Sequence, residues 1–379
     1  MTGSSWRDAF DIPREVTYLN AAQIGPAPRP CLEAGHAAYN AKARPWTGGV
    51  AECFFDAPEA LRTAGASLFK ATAEDIALVP AASYGLAVAA RNLTLEPGQE
   101  ILVLEGQFPS NVYTWRTLAQ RTGARVRPVS RQESQTWTQA LLSAIGPQTG
   151  LVACGAVHWI DGGRVDLEAV SKAVRARNAH LVLDLTQSAG VMAFDVAKVD
   201  PDFAVTACYK WLLGPYAIGL LYVAPRHQDG EPLEENWINR AGSEDFSRLI
   251  DYQDRYQPGA RRFDMGERSS HQLVPAALAS LETLAGFGWE AIARHCAEMT
   301  SALAEAAAPF GLVDDTPERA GHYLSLGLPE TTPSNLLAQL KADEVHVSQR
   351  GPRLRVTPHV YTDLHDVERF GAALKRIFA

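Results

Sequence analysis

The chain has 379 residues, 46% apolar and 21% charged, which suits a globular protein large enough for two domains. Its net charge of −8 argues against nucleic acid as a partner, and no apolar stretch approaches the ~20 residues of a membrane span. Five scattered cysteines (Cys31, Cys53, Cys154, Cys208, Cys296) without CxxC spacing point to reduced thiols, and MTGSSWRDAFDIPREV lacks the pattern of a signal peptide, so the cytoplasm is expected.

In chain order, short apolar runs predict strands at Ile76–Val79, Ile101–Leu104, Arg125–Val129, Leu151–Cys154, Leu181–Leu183, Phe203–Thr206 and Ile218–Val223. Pro128 confines the third to an edge or a strand end. Amphipathic stretches separate most of them, such as Asp166–Arg177 with Leu167, Val170 and Val174 on one stripe. Alternation of this kind predicts an α/β fold with a mostly parallel sheet covered on both faces. The step through Gly214-Pro215 is too short for a crossover helix, so the last strand is expected to run antiparallel. Beyond Gly266 the pattern changes to helices from about Leu273 to Ala285 and from Trp289 to about Ala307. Strands at His322–Leu328 and Arg353–Thr357 follow, with helices at Ser334–Lys341 and His365–Phe378. The expected division is an N-terminal arm (1–30), a large domain (31–275) and a smaller C-terminal α+β domain (276–379), with one long helix bridging them.

Ligands of open α/β sheets sit outside the carboxyl ends of the strands. That rule selects Ser83-Tyr84-Gly85, Gln107-Phe108-Pro109, Asp184-Leu185-Thr186-Gln187 and Cys208-Tyr209-Lys210 as walls of one cleft. Asp184 closes an apolar strand in LVLDLTQSAG, where a carboxylate needs a partner such as a pyridinium nitrogen. The plainer reading is an Asp capping the next turn. In TACYKWLLGPYAIG, Lys210 sits among Tyr209, Trp211 and Leu212, surroundings that favour the neutral amine an imine-forming lysine requires. A surface lysine with its ammonium in water is the alternative. Ser83 opens a helix whose N–H groups suit an anion, and ordinary capping explains it equally. Phe108 stands where it stacks on a planar ring or simply joins the core.

The order and spacing of these segments resemble the class V aminotransferase family: kynureninases, cysteine desulfurases and isopenicillin N epimerases. The resemblance runs from YLNAAQIGPAP (Tyr18–Pro28) to LRVTPHVYTDLHDVERF (Leu354–Phe370) and is most specific between Leu181 and Val223. It implies fold type I and pyridoxal 5′-phosphate held by Lys210 as a Schiff base, with Asp184 beside the pyridinium. It further implies Gln187 near the ring hydroxyl and Phe108 stacked on the ring. Ser83, Tyr84 and Tyr209 fall at phosphate-contacting positions, Arg355 at the substrate carboxylate, and Asn20 near the substrate. RRFDMGERSSH (Arg261–His271) resembles the segment a partner subunit lends to the phosphate, implying a homodimer. Glu267 departs from the family's usual Thr or Asn, which leaves Arg268, Ser269 or Ser270 for that role.

Other departures narrow the chemistry. VHVSQRGPRLR (Val345–Arg355) holds no cysteine where desulfurases carry their nucleophile, and NWINR (Asn236–Arg240) replaces the Trp-Trp-Gly-His segment of kynureninases. The expected function is transaminase- or lyase-type chemistry on an L-amino acid. An epimerase or racemase is the alternative, and a non-catalytic regulatory protein of this fold the remote one.

Overall fold

A computed structural model describes residues 4–48 and 52–378. Residues 1–3 of the expected arm, 49–51 of the expected large domain and 379 of the expected C-terminal domain lie outside the described residues. The strands are β1 (Thr17–Tyr18), β2 (Ile76–Val79), β3 (Glu100–Leu104), β4 (Arg125–Val129), β5 (Thr149–Gly155), β6 (His180–Asp184), β7 (Phe203–Ala207), β8 (Gly219–Val223), β9 (Leu324–Gly327), β10 (Val345–His346), β11 (Ser348–Arg350) and β12 (Arg353–Val356).

Seven of them form one sheet in the order β2-β8-β7-β6-β5-β3-β4. β8 is antiparallel to both neighbours, and the other pairings are parallel. The reversal follows from the tight step after β7. There Gly214 N–H donates to Cys208 O (2.9 Å), and Leu213 and Ala217 adopt left-handed φ of 52° and 63°. β4 lies at the sheet edge, where Pro128 in register with Val103 costs no ladder hydrogen bond. β2, β3, β5, β6 and β7 therefore all point their carboxyl ends to one side, and the cleft lies there.

The two faces of the sheet are covered by separate apolar clusters, one including Leu102, Val152, Leu183 and Leu220, the other Ile101, Val103, Val182 and Val205. Alternate residues of the same strands feed opposite faces, as a doubly covered sheet requires. The helix expected around Asp166–Arg177 spans Leu167–Arg175, with Asp166 Oδ1 accepting from Ala169 N–H (3.1 Å) as its N-cap.

A third cluster, with Leu303, Leu324, Leu340, Leu354 and Phe370, lies around the three-stranded antiparallel sheet β11-β12-β9. The Trp289–Ala307 helix joins the cores: Ile292 and Cys296 pack in the large one, Leu303 and Ala307 in the small one. The Leu273–Phe287 helix, which contains the boundary expected after residue 275, packs Val274, Ala277, Leu281 and Leu284 into the large core. The N-terminal arm returns to the small sheet's neighbourhood. β1 pairs parallel with β10, and Asn20 bridges Thr357. No helix among the described residues is long and apolar enough to cross a membrane.

Candidate active site

Lys210 lies just past β7, 8% exposed, in a cleft of about 250 Å³ lined also by Ser83, Phe108, Trp159, Asp184, Gln187 and Tyr209. Burial lowers its ammonium to about 8; the Asp184 carboxylate opposes that shift, and Arg355 and Arg350 add to it. Lys210 Nζ stands 5.5 Å from the Phe108 ring centroid and 5.6 Å from that of Tyr209. The backbone is fixed from the arm side as well. Gly25 N–H donates to Tyr209 O (2.8 Å), and a Cβ on Gly25 would lie 2.3 Å from Lys210 O. Only glycine permits that approach.

Asp184 ends β6 and turns one carboxylate oxygen to Thr186 N–H (3.0 Å). So the capping interaction exists, yet the residue also lines the cleft. Gln187 is buried behind it. Its amide donates to Ala22 O (3.1 Å), and its carbonyl accepts from Trp211 Nε1 (2.8 Å), which ties the arm to the cleft floor. His322 Nε2 meets Gln187 O at 2.8 Å, and burial pushes this imidazole down to about 4, so it is neutral scaffolding.

The helix Ala82–Asn92 starts at the cleft wall, and no side chain caps its N-terminus at Ala81. Its first N–H groups and the exposed Ser83 hydroxyl make an anion cradle. Tyr84, one position on, does not line the cleft. Successive helical residues point about 100° apart, and its phenol is buried, raised by burial and by the Glu234 carboxylate. Phe108 follows β3 with 39% exposure, its ring open to the cleft.

Arg355, on β12, is 1% exposed, and its partners among the described residues are neutral oxygens: Ser348 Oγ (3.0 and 2.9 Å), Trp159 O (3.1 Å) and Tyr323 Oη (3.2 Å). Its guanidinium lies 5.7 Å from the Trp159 ring, and that ring meets Phe108 edge-on at 5.3 Å. Asn20 is buried beside the cleft floor, its amide donating to Gln23 (3.3 Å).

Ser269 and Arg268 lie away from the Lys210 cleft of the same chain. Arg268 is fully buried, its Nη1 2.7 Å from Asp264, which also binds Arg62 at 2.7 Å. The Nε of Arg268 is buried without a partner among the described residues. Ser269 is buried next to it, and Glu267 is exposed.

Trp159 and Tyr216 line the cleft without having been singled out from the sequence, whereas Arg355 and Asn20 are not among its lining residues. Applying the strand-end rule to β5 would have reached Trp159. The five cysteines are free, and burial pushes Cys154 and Cys208 up to about 12, far from a reactive thiolate.

The sequence matches the family described as Aminotransferase class-V over residues 18–375. The chain belongs to that family. It is thereby a pyridoxal-phosphate-dependent enzyme. Among curated relatives, it is 27% identical to an isopenicillin N epimerase of Streptomyces clavuligerus over 99% of this chain and 98% of that one. It is 31% identical to a kynureninase of Deinococcus radiodurans over 69% and 63%. Solved structures agree on the fold. An apo cysteine desulfurase from Thermococcus onnurineus NA1 superposes with a TM-score of 0.83 at 20% identity, covering 99% of this chain and 98% of that one. The cystine C-S lyase C-DES, in complex with its product cysteine persulfide, gives 0.85 at 19% identity, covering 96% and 98%.

Proposed function

We propose that Lys210 holds pyridoxal phosphate covalently and that the enzyme performs transaminase- or lyase-type chemistry on an L-amino acid. The observation that carries this reading is a buried amine, lowered to about 8, sharing one cleft with a strand-end carboxylate and an open aromatic face. The donor set fits the cofactor group by group. An uncapped helix N-terminus with Ser83 suits its phosphate, Asp184 its ring nitrogen, and Phe108 its planar face. When bound, pyridoxal phosphate supplies an electron sink for charge developing at the substrate α-carbon.

The chain's own residues do the rest. Asp184 holds the proton at the ring nitrogen, Gln187 and Tyr209 orient ring and phosphate, and Lys210 Nζ carries the proton at the α-carbon. Arg355 binds the α-carboxylate and Asn20 borders the substrate from the arm. The cysteine-free loop before Arg355 speaks against persulfide chemistry, as do the raised thiol pKa values of the buried Cys154 and Cys208. A homodimer belongs to the same reading, supported by the Arg261–His271 segment. Epimerisation on the same residues is the second reading, favoured by the near full-length match to isopenicillin N epimerases.

Borohydride reduction of the purified holoenzyme followed by peptide mapping tests the assignment. The label is expected on Lys210; recovery on Lys172 or Lys198 overturns it. Incubating single enantiomers and following optical rotation separates epimerisation from the transaminase and lyase outcomes.

A further inference from the structure

Buried guanidinium groups in this fold are matched with carboxylates. Arg7 meets Asp366 at 2.7 Å, and Arg62 and Arg268 both meet Asp264 at 2.7 Å. Such matching is expected, because an unpaired buried charge costs several kcal/mol. Arg355 breaks the pattern, since all its described hydrogen-bond partners are neutral. Arg350, half-buried on β11, repeats the exception. Its Nη1 donates to Gln349 O (2.7 Å), and among the described residues no carboxylate lies within ion-pair distance of it.

The two cations share one support. Each guanidinium carbon lies 5.7 Å from the centroid of the Trp159 ring, which lines the Lys210 cleft. Arg355 is the main charged group facing Arg350, with the Tyr323 phenol the other, and both arginines act electrostatically on Lys210. Like charges gathered beside a ligand cleft repel each other until an anion arrives. One α-carboxylate answers Arg355. Arg350 is then surplus to any substrate with a single acid group.

We propose that Arg350 is a second anion-binding residue and that the amino-acid substrate carries a further carboxylate on its side chain. This rests on the Lys210 cleft being the substrate site and narrows that reading to acidic amino acids. The planar fork of arginine suits a carboxylate, and the one hydrogen bond described for the Arg350 guanidinium is from Nη1 to Gln349 O.

Calorimetry on the purified enzyme with two unreactive probes, glutarate and butyrate, gives the direct test. Glutarate is expected to bind about tenfold tighter or better, and Arg350→Gln to abolish that advantage while Arg350→Lys keeps part of it. In turnover, the kcat/KM ratio of L-glutamate to L-glutamine is expected to fall by about tenfold or more in Arg350→Gln. Equal affinity of the natural chain for the two probes overturns the proposal, as does an Arg350→Gln chain that keeps the preference. Weakened cofactor binding in Arg350→Gln with unchanged probe selectivity also overturns it, because Arg350 then serves the cofactor's phosphate. A glutarate preference that depends on Arg350 in a chain whose borohydride label misses Lys210 leaves the two-cation site standing and defeats the functional reading instead.

Discussion

Ser348 and Arg355 face each other in register across β11 and β12, and the serine hydroxyl accepts from both Nε (3.0 Å) and Nη2 (2.9 Å) of the buried guanidinium. The hydroxyl thus occupies the edge of the fork that a carboxylate would otherwise take side-on. It fixes the Arg355 side chain, whose Nη1 donates to Trp159 O and Tyr323 Oη on the far edge of the fork. Replacing Ser348 with Ala leaves two buried donors without their acceptor and lets the guanidinium swing. Loss of a hydrogen bond to a charged group is worth about 1.5–3 kcal/mol. We expect KM for the amino acid to rise about tenfold or more in Ser348→Ala with the cofactor content unchanged, as measured by steady-state kinetics beside absorbance. An unchanged KM would make the pairing purely structural.

The lowered pKa of Lys210 has a direct consequence for cofactor capture. Only the neutral amine attacks an aldehyde, and with a pKa of about 8 roughly a quarter of the amine is neutral at pH 7.5. An ordinary lysine would offer about 0.1% there. The rate of pyridoxal phosphate uptake by the apo chain should rise through pH 8 and level off above it. The sign follows from burial, which disfavours the ammonium, so raising the pH depletes the unreactive form. Stopped-flow absorbance across pH 6.5–10 reads this directly, and a rate still climbing steeply near pH 10 contradicts it.

Gly25 holds the arm against the Lys210 backbone. A methyl group there would meet Lys210 O at 2.3 Å and Leu213 Cδ2 at 2.4 Å, and the first of these is backbone that cannot step aside. Overpacking of this kind costs about 1–3 kcal/mol. Gly25→Ala is expected to lower the thermal midpoint and to reduce cofactor retention on dialysis. Ala27, two residues on, gives a control position on the same arm.

Much of this site is written in local pattern. The strands are continuous apolar runs, so their ends are visible, and Ser83, Phe108, Asp184 and Lys210 follow from the strand-end rule alone. The antiparallel β8 is equally legible from the short step through Gly214-Pro215. What pattern cannot carry is orientation. Ser83 and Tyr84 are neighbours in sequence, yet a helix turns them to different surroundings. Nor does a charged letter announce burial. Arg268 reads as a surface or phosphate-binding residue until Asp264, one turn earlier, is seen to hold it inside the core. The strand-end rule applied to β5 reaches Trp159, but not its closeness to Arg350 and Arg355, which come from a sheet nearly two hundred residues away in sequence.

Asp184 is the carboxylate whose charge, more than its shape, is expected to matter. Asn is nearly isosteric and can still accept from Thr186 N–H, so the local turn survives the change. An amide cannot hold a proton on the ring nitrogen, and the electron sink weakens accordingly. Asp184→Asn should unfold at a similar temperature and bind the cofactor, while kcat falls on the order of 100-fold. Near-normal turnover by that variant with cofactor bound would reduce Asp184 to a turn cap.

The last expectation concerns the dimer. A phosphate brings close to two negative charges, and one helix N-terminus with the Ser83 hydroxyl neutralises only part of that. Further donors are needed, and the Arg261–His271 segment is where the family resemblance directs the search. Arg268 is engaged by Asp264, and Arg262, Ser269 and Ser270 are the other candidates in that stretch, the two serines being the pair to test. If they reach a neighbour's site, a Lys210→Ala chain mixed with a Ser269→Ala, Ser270→Ala chain forms hybrids in which one site carries both defects and the other neither. Random exchange at equal amounts makes half the dimers hybrid, so about a quarter of the natural activity should return. Mass spectrometry of the mixture establishes that exchange took place. No recovery in a mixture that contains the hybrid, or full activity from a monomer sized by light scattering, would show that each chain builds its site alone.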